Sequence, residues 1–184
     1  MQRRDLLRAL GAVATIPAFA GLSTERLWAL GVAAHGRTGA LRTLTAPEAA
    51  SVSAIADLIL PRTDTPGALD VGVVEFIDLL LTEWYAAGDR DNLLYGLGYL
   101  DGMASKQGAR TFAELDLAAQ ASLATTLDTT KNPPPRSAAA TWRTLKGLTI
   151  YGYFTSKPVM QDVLKVKVWP GRWDGCGAVV SHRS

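Results

Sequence analysis

Four carboxylates lie within residues 61–78, PRTDTPGALDVGVVEFID, and their type and spacing could do chemistry. Neighbouring carboxylates act as general acids and bases, and several together can hold a cation. An EF-hand calcium loop beginning at Asp64 would need glycine at its sixth position, where Leu69 stands, and only Glu75 at its twelfth position matches. The spacing argues against such a metal site and leaves acid–base catalysis as an alternative. The four acids are Asp64, Asp70, Glu75 and Asp78.

The same acids also have a structural interpretation. Residues 64–67, Asp-Thr-Pro-Gly, form a turn signal in which aspartate bonds its own backbone, proline fixes one dihedral angle and glycine permits a left-handed conformation. Asp70 directly precedes a helical pattern, where its side chain would cap the first free amides. Glu75 and Asp78 lie three residues apart beside an apolar stripe, so we expect them at a solvated or partner-facing edge. The sequence favours a turn, a cap and an outer helix edge.

Other chemically active residues are few. His35 lies in a Gly- and Ala-rich stretch and His182 has only two residues after it, so neither suits a catalytic triad or a zinc site. The single cysteine, Cys176, has no internal disulfide partner; pairing with another chain and an inert thiol are its alternatives. The glycines of LLYGLGYLDG (93–102) miss the phosphate-loop spacing and predict close helix contact instead. We expect no catalytic residue, metal or cofactor in this chain.

The first 20 residues, MQRRDLLRALGAVATIPAFA, have the features of a signal peptide: a basic start, an apolar run and small residues at the end. Arg3 and Arg4 resemble a twin-arginine export signal, although Gln2 stands where serine or threonine is usual. The apolar run is shorter than the about 20 residues of a membrane span. This segment carries the whole net charge of +2, so the rest of the chain has no basic field for nucleic acid. We expect export of the folded chain to the periplasm.

Beyond a tether at 21–44, apolar residues recur at helical spacing in about five stretches. The first begins at a capping box, Thr45-Ala46-Pro47-Glu48, and ends at Pro61. The others run from about 71 to 88, from Asp89 to about 103, from about 115 to 127 and from Ser137 to about 152. A proline-rich linker, TTKNPPPR, precedes the last. The sequence predicts an all-α, compact bundle of about five helices at 45–156, followed by an extended, aromatic C-terminal segment at 157–184.

The C-terminal segment contains two tryptophans within five residues, around Pro170-Gly171. Trp169 and Trp173 are typical anchors of a protein interface, and covering the chain's own core is the alternative. Cys176, flanked by glycines, is placed for a disulfide to another subunit. Asp64 and Pro66, in the turn after the first helix, are a second expected contact with a partner.

These features together resemble the gluconate 2-dehydrogenase subunit 3 family, the small subunits of periplasmic FAD-dependent sugar dehydrogenases. The resemblance is carried by residues 44–78, with the run LPRTDTPGA, by GYF and SKP in 152–158, by PGRWDGC (170–176) and by the leader. Lys157 departs from the pattern.

The resemblance implies a large partner subunit that binds FAD and oxidises a sugar or sugar acid, and commonly a cytochrome c subunit that passes electrons to the membrane. This chain would be a non-catalytic subunit that supplies the export signal, supports maturation of the large subunit and stays at the inner membrane through its complex. A stand-alone periplasmic enzyme using the carboxylates of 61–78, and a chaperone released after export, are the alternatives.

Overall fold

The computed structural model describes residues 41–166, and this part of the chain is helical and without a strand. The all-α prediction is confirmed. The leader, the tether up to residue 40 and the segment from residue 167 lie outside the described residues. The five longer helices are α1 (Ala46–Ile59), α2 (Val73–Glu83), α3 (Ala87–Ser105), α4 (Leu117–Thr129) and α5 (Ala138–Thr155). Short 3-10 turns at Leu69–Val71 and Phe112–Glu114 and a π-helical turn at Val159–Val163 complete the fold.

The ends of α1 and the start of α5 follow local signals in the sequence. The Glu48 carboxylate accepts a hydrogen bond from the Thr45 backbone N–H (2.8 Å), as expected of the capping box. It also accepts one from the Thr45 hydroxyl (2.6 Å). Helix α1 ends before Pro61, which has no N–H to continue it. The Ser137 hydroxyl oxygen accepts a hydrogen bond from the Ala140 N–H (3.2 Å) at the start of α5. These three predictions are confirmed.

Two other helix starts differ from the prediction by two residues. Helix α3 begins at Ala87, so Asp89 lies inside its first turn and not at the cap. Helix α4 begins at Leu117 because Asp116 caps it, accepting the Ala119 N–H at 2.7 Å. Both differences arise because an acidic residue is suitable at the cap and in the first turn alike.

Helix α5 lies at the centre, and the other four helices all pack on it. Two of these contacts need a residue without a side chain. A Cβ atom at Gly96 of α3 would lie 2.0 Å from the Thr141 hydroxyl of α5, and that hydroxyl donates to the Leu93 carbonyl at 3.1 Å. A Cβ atom at Gly152 of α5 would lie 2.7 Å from the Phe76 ring of α2. The predicted close contact is confirmed for Gly96.

The other two glycines of the central part of α3, Gly98 and Gly102, are exposed. A Cβ atom added at either position would meet no atom within 4 Å. The prediction of close helix contact is therefore wrong for these two, as far as the described residues go. Since 3.6 residues make one turn, they lie on the side of α3 opposite Gly96.

Residues 157–166 do not begin an extended tail, and that part of the prediction is wrong. The Leu164 N–H donates to the Val159 carbonyl (2.8 Å), and the Val166 N–H donates to the Met160 carbonyl (2.9 Å). Val159 is completely buried, so its apolar side chain holds this turn against the domain.

Among the described helices, none combines the length and apolar character that crossing a membrane requires.

Candidate partner interface

The loop between α1 and α2, residues 60–72, carries two of the predicted interface residues and is held firmly to the domain. The Ala68 N–H donates to the Leu60 carbonyl at 2.9 Å, which closes the loop at its base. The Tyr153 hydroxyl of α5 donates to the Pro66 carbonyl at 2.8 Å. Pro66 is half-buried as a result. This part of the loop is a fixed surface of the protein, with its position set by the central helix.

An ion pair joins the two halves of the loop. The Asp70 carboxylate accepts from the Arg62 Nε (2.7 Å), from a second nitrogen of the same guanidinium and from the Gly67 N–H (2.8 Å). The hydrogen bonds from Arg62, and then that from Gly67, hold the pKa of Asp70 below its ordinary value. The predicted capping of α2 by Asp70 is wrong. Asp70 lies in the turn Leu69–Val71, and the residue before α2 is Gly72, whose φ of 74° suits glycine.

The tip of the loop is built differently from the predicted turn. Thr63 closes it: its N–H donates to the Thr65 carbonyl (3.1 Å) and its hydroxyl donates to the Asp64 carboxylate (3.0 Å). Gly67 does not have a positive φ. Glycine is needed there because a Cβ atom would lie 2.7 Å from the Arg62 backbone nitrogen. Asp64 is exposed at the tip, where a partner could reach it.

Asp78 is buried, and the prediction that it lies on an outer edge is wrong. Only 4% of the surface of Asp78 is exposed to solvent. Its carboxylate accepts three backbone N–H groups, those of Arg42 (2.8 Å), Thr43 (2.9 Å) and Leu44 (2.8 Å). A buried carboxylate is stable when such donors satisfy it. Glu75, one turn earlier, is exposed as predicted.

The four acids of 61–78 therefore have different roles. Asp78 is buried and Asp70 is exposed, and both accept hydrogen bonds from the chain's own backbone. Asp64 and Glu75 are the other two exposed acids of the stretch. Residues 41–166 include neither histidine nor cysteine, and no group of three or more potential metal ligands occurs among them. They also contain no strand, so a strand–glycine turn–helix unit for a flavin dinucleotide does not fit this part of the chain.

The remaining predicted site residues are not tested by the structure. Arg3 and Arg4 of the leader lie outside the described residues. So do Trp169, Trp173 and Cys176.

A surface on α3 was missed by the sequence reasoning. Tyr95 and Tyr99 are 61% and 58% exposed, and their ring centroids lie 6.4 Å apart. Together with Gly102, Met103, Lys106 and residues 134–138 they line a groove of about 640 Å³, which we name the tyrosine groove. The signal was present: tyrosines at i and i+4 and glycines at i+3 and i+7 form one helical stripe opposite the buried leucines.

The described part of the protein, residues 41–166, is thus an all-helical domain with a fixed loop and an exposed aromatic surface, features typical of a domain that binds another protein. The chain belongs to the gluconate 2-dehydrogenase subunit 3 family, whose sequence model matches residues 46–171. The resemblance inferred from the sequence is confirmed. This family is one of subunits of a dehydrogenase complex, which implies a dehydrogenase partner. Searches of curated proteins and of solved structures gave no match.

The ion pair of the loop predicts a response to acid. Because the folded-state pKa of Asp70 is lowered, its contribution to stability is complete above the unfolded-state pKa of about 4 and is lost as the pH falls through the folded-state pKa. In Arg62→Ala the largest cause is removed, so the pKa of Asp70 should rise and the variant should lose less stability on acidification than the wild type.

NMR titration of the carboxyl carbons measures this shift directly. Glu114 is the internal control, because the Arg110 backbone N–H, and not Arg62, is the largest cause that lowers its pKa. Its titration should be the same in both proteins. An unchanged pKa of Asp70 in Arg62→Ala would show that the ion pair does not form in solution.

Proposed function

We propose that this chain is the non-catalytic small subunit that escorts an FAD-dependent sugar or sugar-acid dehydrogenase out of the cytoplasm and stays bound to it. The twin-arginine leader of this chain, with Arg3 and Arg4, carries the folded pair into the periplasm. The FAD and the catalytic residues belong to the large subunit. A cytochrome c subunit is a further proposed partner, and it associates the complex with the inner membrane.

Family membership over residues 46–171 is the observation that carries this proposal. Two features of the chain support it. The leader resembles the signal of the twin-arginine export route, which carries folded proteins. The described domain offers a fixed loop and an aromatic groove to a partner. The use of Asp70 and Asp78 as structural acceptors speaks against an enzyme that relies on the carboxylates of 61–78.

The test is coexpression of the full chain with a candidate FAD-dependent dehydrogenase large subunit. We expect the two to copurify from the periplasm at a fixed ratio, with flavin and activity in the large chain. Recovery of this chain as an active monomer would refute the subunit role. A large chain that is exported but purified without this one would instead support a chaperone released after export.

The export role predicts a large effect of two conservative changes. Replacing Arg3 and Arg4 by lysine should leave both chains in the cytoplasm, because the export route reads the arginine pair and not its charge. Arg8→Lys, in the same leader, is the matched control and should export normally. Fractionation followed by immunoblotting measures the result. Normal export of the large chain with the double variant would contradict the escort role.

The proposed interface also includes Trp169, Trp173 and Cys176 of the C-terminal segment and Asp64 and Pro66 of the loop. Electrophoresis of the same purified complex without reductant tests the thiol. A heavier band that reductant removes, and that is absent from Cys176→Ser, would establish a disulfide between the subunits; no such band would exclude it.

A further inference from the structure

The tyrosine groove has an apolar wall that nothing in the described part of the chain covers. Tyr95 and Tyr99 are the two most exposed aromatic residues of this region, and each has more than half of its surface exposed to solvent. Aromatic rings with a hydroxyl group suit an interface because they bury a large area with few rotatable bonds and keep a polar end. An uncovered patch of this kind marks a binding surface.

Two exposed glycines run beside these rings. Glycine in a helix interior costs about 1 kcal/mol relative to alanine, and the packing of α5 explains that cost at Gly96. It does not explain Gly98 and Gly102, where a side chain would meet open space. A bound segment explains both, because glycine lets a partner's backbone approach the helix closely, between the tyrosine rings.

The groove is positively charged. Lys106 and Arg136 line it, and its lining residues include no carboxylate. The Arg136 guanidinium lies 5.3 Å from the centre of the Tyr95 ring and donates to the Asn92 side-chain oxygen at 2.5 Å. The ring contact and this hydrogen bond hold the cation at the groove. The charge favours an occupant with an acidic side chain.

The C-terminal segment of this chain is a poor occupant. Val166 is bonded to Met160 beyond the C-terminal end of α5, whereas the groove lies at the start of that helix, about 25 Å away. Trp169 is only three residues further and reaches at most about 10 Å, so distance keeps this tryptophan out of the groove. The later residues of the segment are far enough along the chain to reach it, and charge is the argument against them. Residues 167–184 also carry three basic residues against one acidic residue, which the positive groove would repel.

A second copy of the chain is also disfavoured. A symmetric dimer through this groove would bring together two surfaces that each carry Lys106 and Arg136, because a two-fold interface pairs the same surface of both copies. Like charges facing each other at an interface are unfavourable.

We propose that the tyrosine groove binds an acidic, apolar segment of the dehydrogenase large subunit. The segment lies along α3, its apolar side chains pack on Tyr95 and Tyr99, and its carboxylate pairs with Lys106 or Arg136. This inference rests on the proposed function and adds a contact that is separate from the loop and from the C-terminal tryptophans.

Photo-crosslinking in the coexpressed complex identifies the occupant. The full chain with Tyr99→p-benzoylphenylalanine is coexpressed with the large chain, irradiated and analysed by peptide mass spectrometry. We expect a cross-link to a peptide of the large chain that contains aspartate or glutamate. The same photoreactive residue at Leu117, which is 73% exposed on α4 and outside the groove, should not give that cross-link. A cross-link from position 99 to residues 167–184 or to a second copy would overturn the proposal.

A steric variant measures the contribution of the groove. Gly102→Leu fits the free chain, since no atom lies within 4 Å of its Cβ, but it fills the groove. We expect it to weaken binding of the large chain by about tenfold without lowering the melting temperature. Gly88→Leu, on the same helix and equally open but outside the groove, should bind like the wild type.

These experiments separate two failures. If the wild-type chain does not copurify with the large chain, the proposed function is refuted, and the groove proposal is refuted with it. If the wild type and Gly102→Leu bind the large chain equally well, the groove proposal alone is refuted.

Discussion

Replacing Asp78 by alanine is expected to lower the free energy of unfolding by about 3 kcal/mol. The carboxylate accepts the backbone N–H groups of residues 42, 43 and 44, and its removal leaves these donors without their acceptor in a region that is largely shielded from water. Unsatisfied buried donors are among the few causes of large mutational effects. For a domain of this size the melting temperature should fall by about 10 °C.

Chemical denaturation and calorimetry measure this effect. Glu75→Ala is the matched control. Glu75 lies on the same helix one turn from Asp78 and has the same charge, but it is exposed to solvent. It should change stability by less than about 0.5 kcal/mol. Asp78→Asn should fall between the two, because it keeps one acceptor oxygen and loses the charge. Equal stability of Asp78→Ala and Glu75→Ala would refute the structural role of Asp78.

The Asp78 contacts also concern the proposed export role. They fasten residues 42–44, just before α1, to the side of α2, and the Arg42 guanidinium adds a bond to Glu83 at 2.5 Å. Residues 42–44, which follow the proposed leader and tether in the sequence, are therefore held in place by α2. We expect Asp78→Ala to lower the yield of exported complex in proportion to the loss of stability, since a less stable domain is degraded more readily.

The second large effect is expected at Gly96. Alanine normally stabilises a helix by about 1 kcal/mol relative to glycine, but Gly96→Ala should destabilise the protein by about 2 kcal/mol through overpacking. The new methyl group would collide with the Thr141 side chain and with the Ser137 backbone carbonyl, and backbone cannot move aside cheaply. Helices α3 and α5 would have to separate.

Gly98→Ala, on the same helix, should change the free energy of unfolding in the opposite direction. No atom lies within 4 Å of a Cβ at that position, so the variant should gain up to about 1 kcal/mol. The two free energies of unfolding, measured in urea under identical conditions, should differ by about 3 kcal/mol. If both variants were stabilised, the close packing of α3 on α5 would be wrong.

Local signals in the sequence determined much of the fold. The helical spacing of apolar residues indicated five helices, and all five are present. Thr45 with Glu48, Pro61 and Ser137 set helix ends through contacts within four residues of the chain, so no knowledge of the rest of the molecule was needed. The run LPRTDTPGA indicated the family, and the family model matches.

The roles of the acidic stretch were decided by tertiary structure. Asp78 binds residues that precede it by 34 to 36 positions, and Asp70 binds Arg62 across a closed loop. Helical spacing placed Asp78 beside the apolar stripe, but the side of the stripe that faces solvent depends on how α2 is rotated against its neighbours. The π-helical turn after α5 was likewise set by the burial of Val159.

The glycines of α3 show the same division. The sequence placed Gly96, Gly98 and Gly102 in one helix and excluded a phosphate loop, because local spacing is sufficient for both conclusions. Only the packing of α5 distinguishes Gly96, which touches Thr141, from the two that line open surface. Periodicity along one helix fixes which residues share a face; the neighbouring helices decide whether that face is covered, and this is why the tyrosine groove became visible only in the tertiary structure.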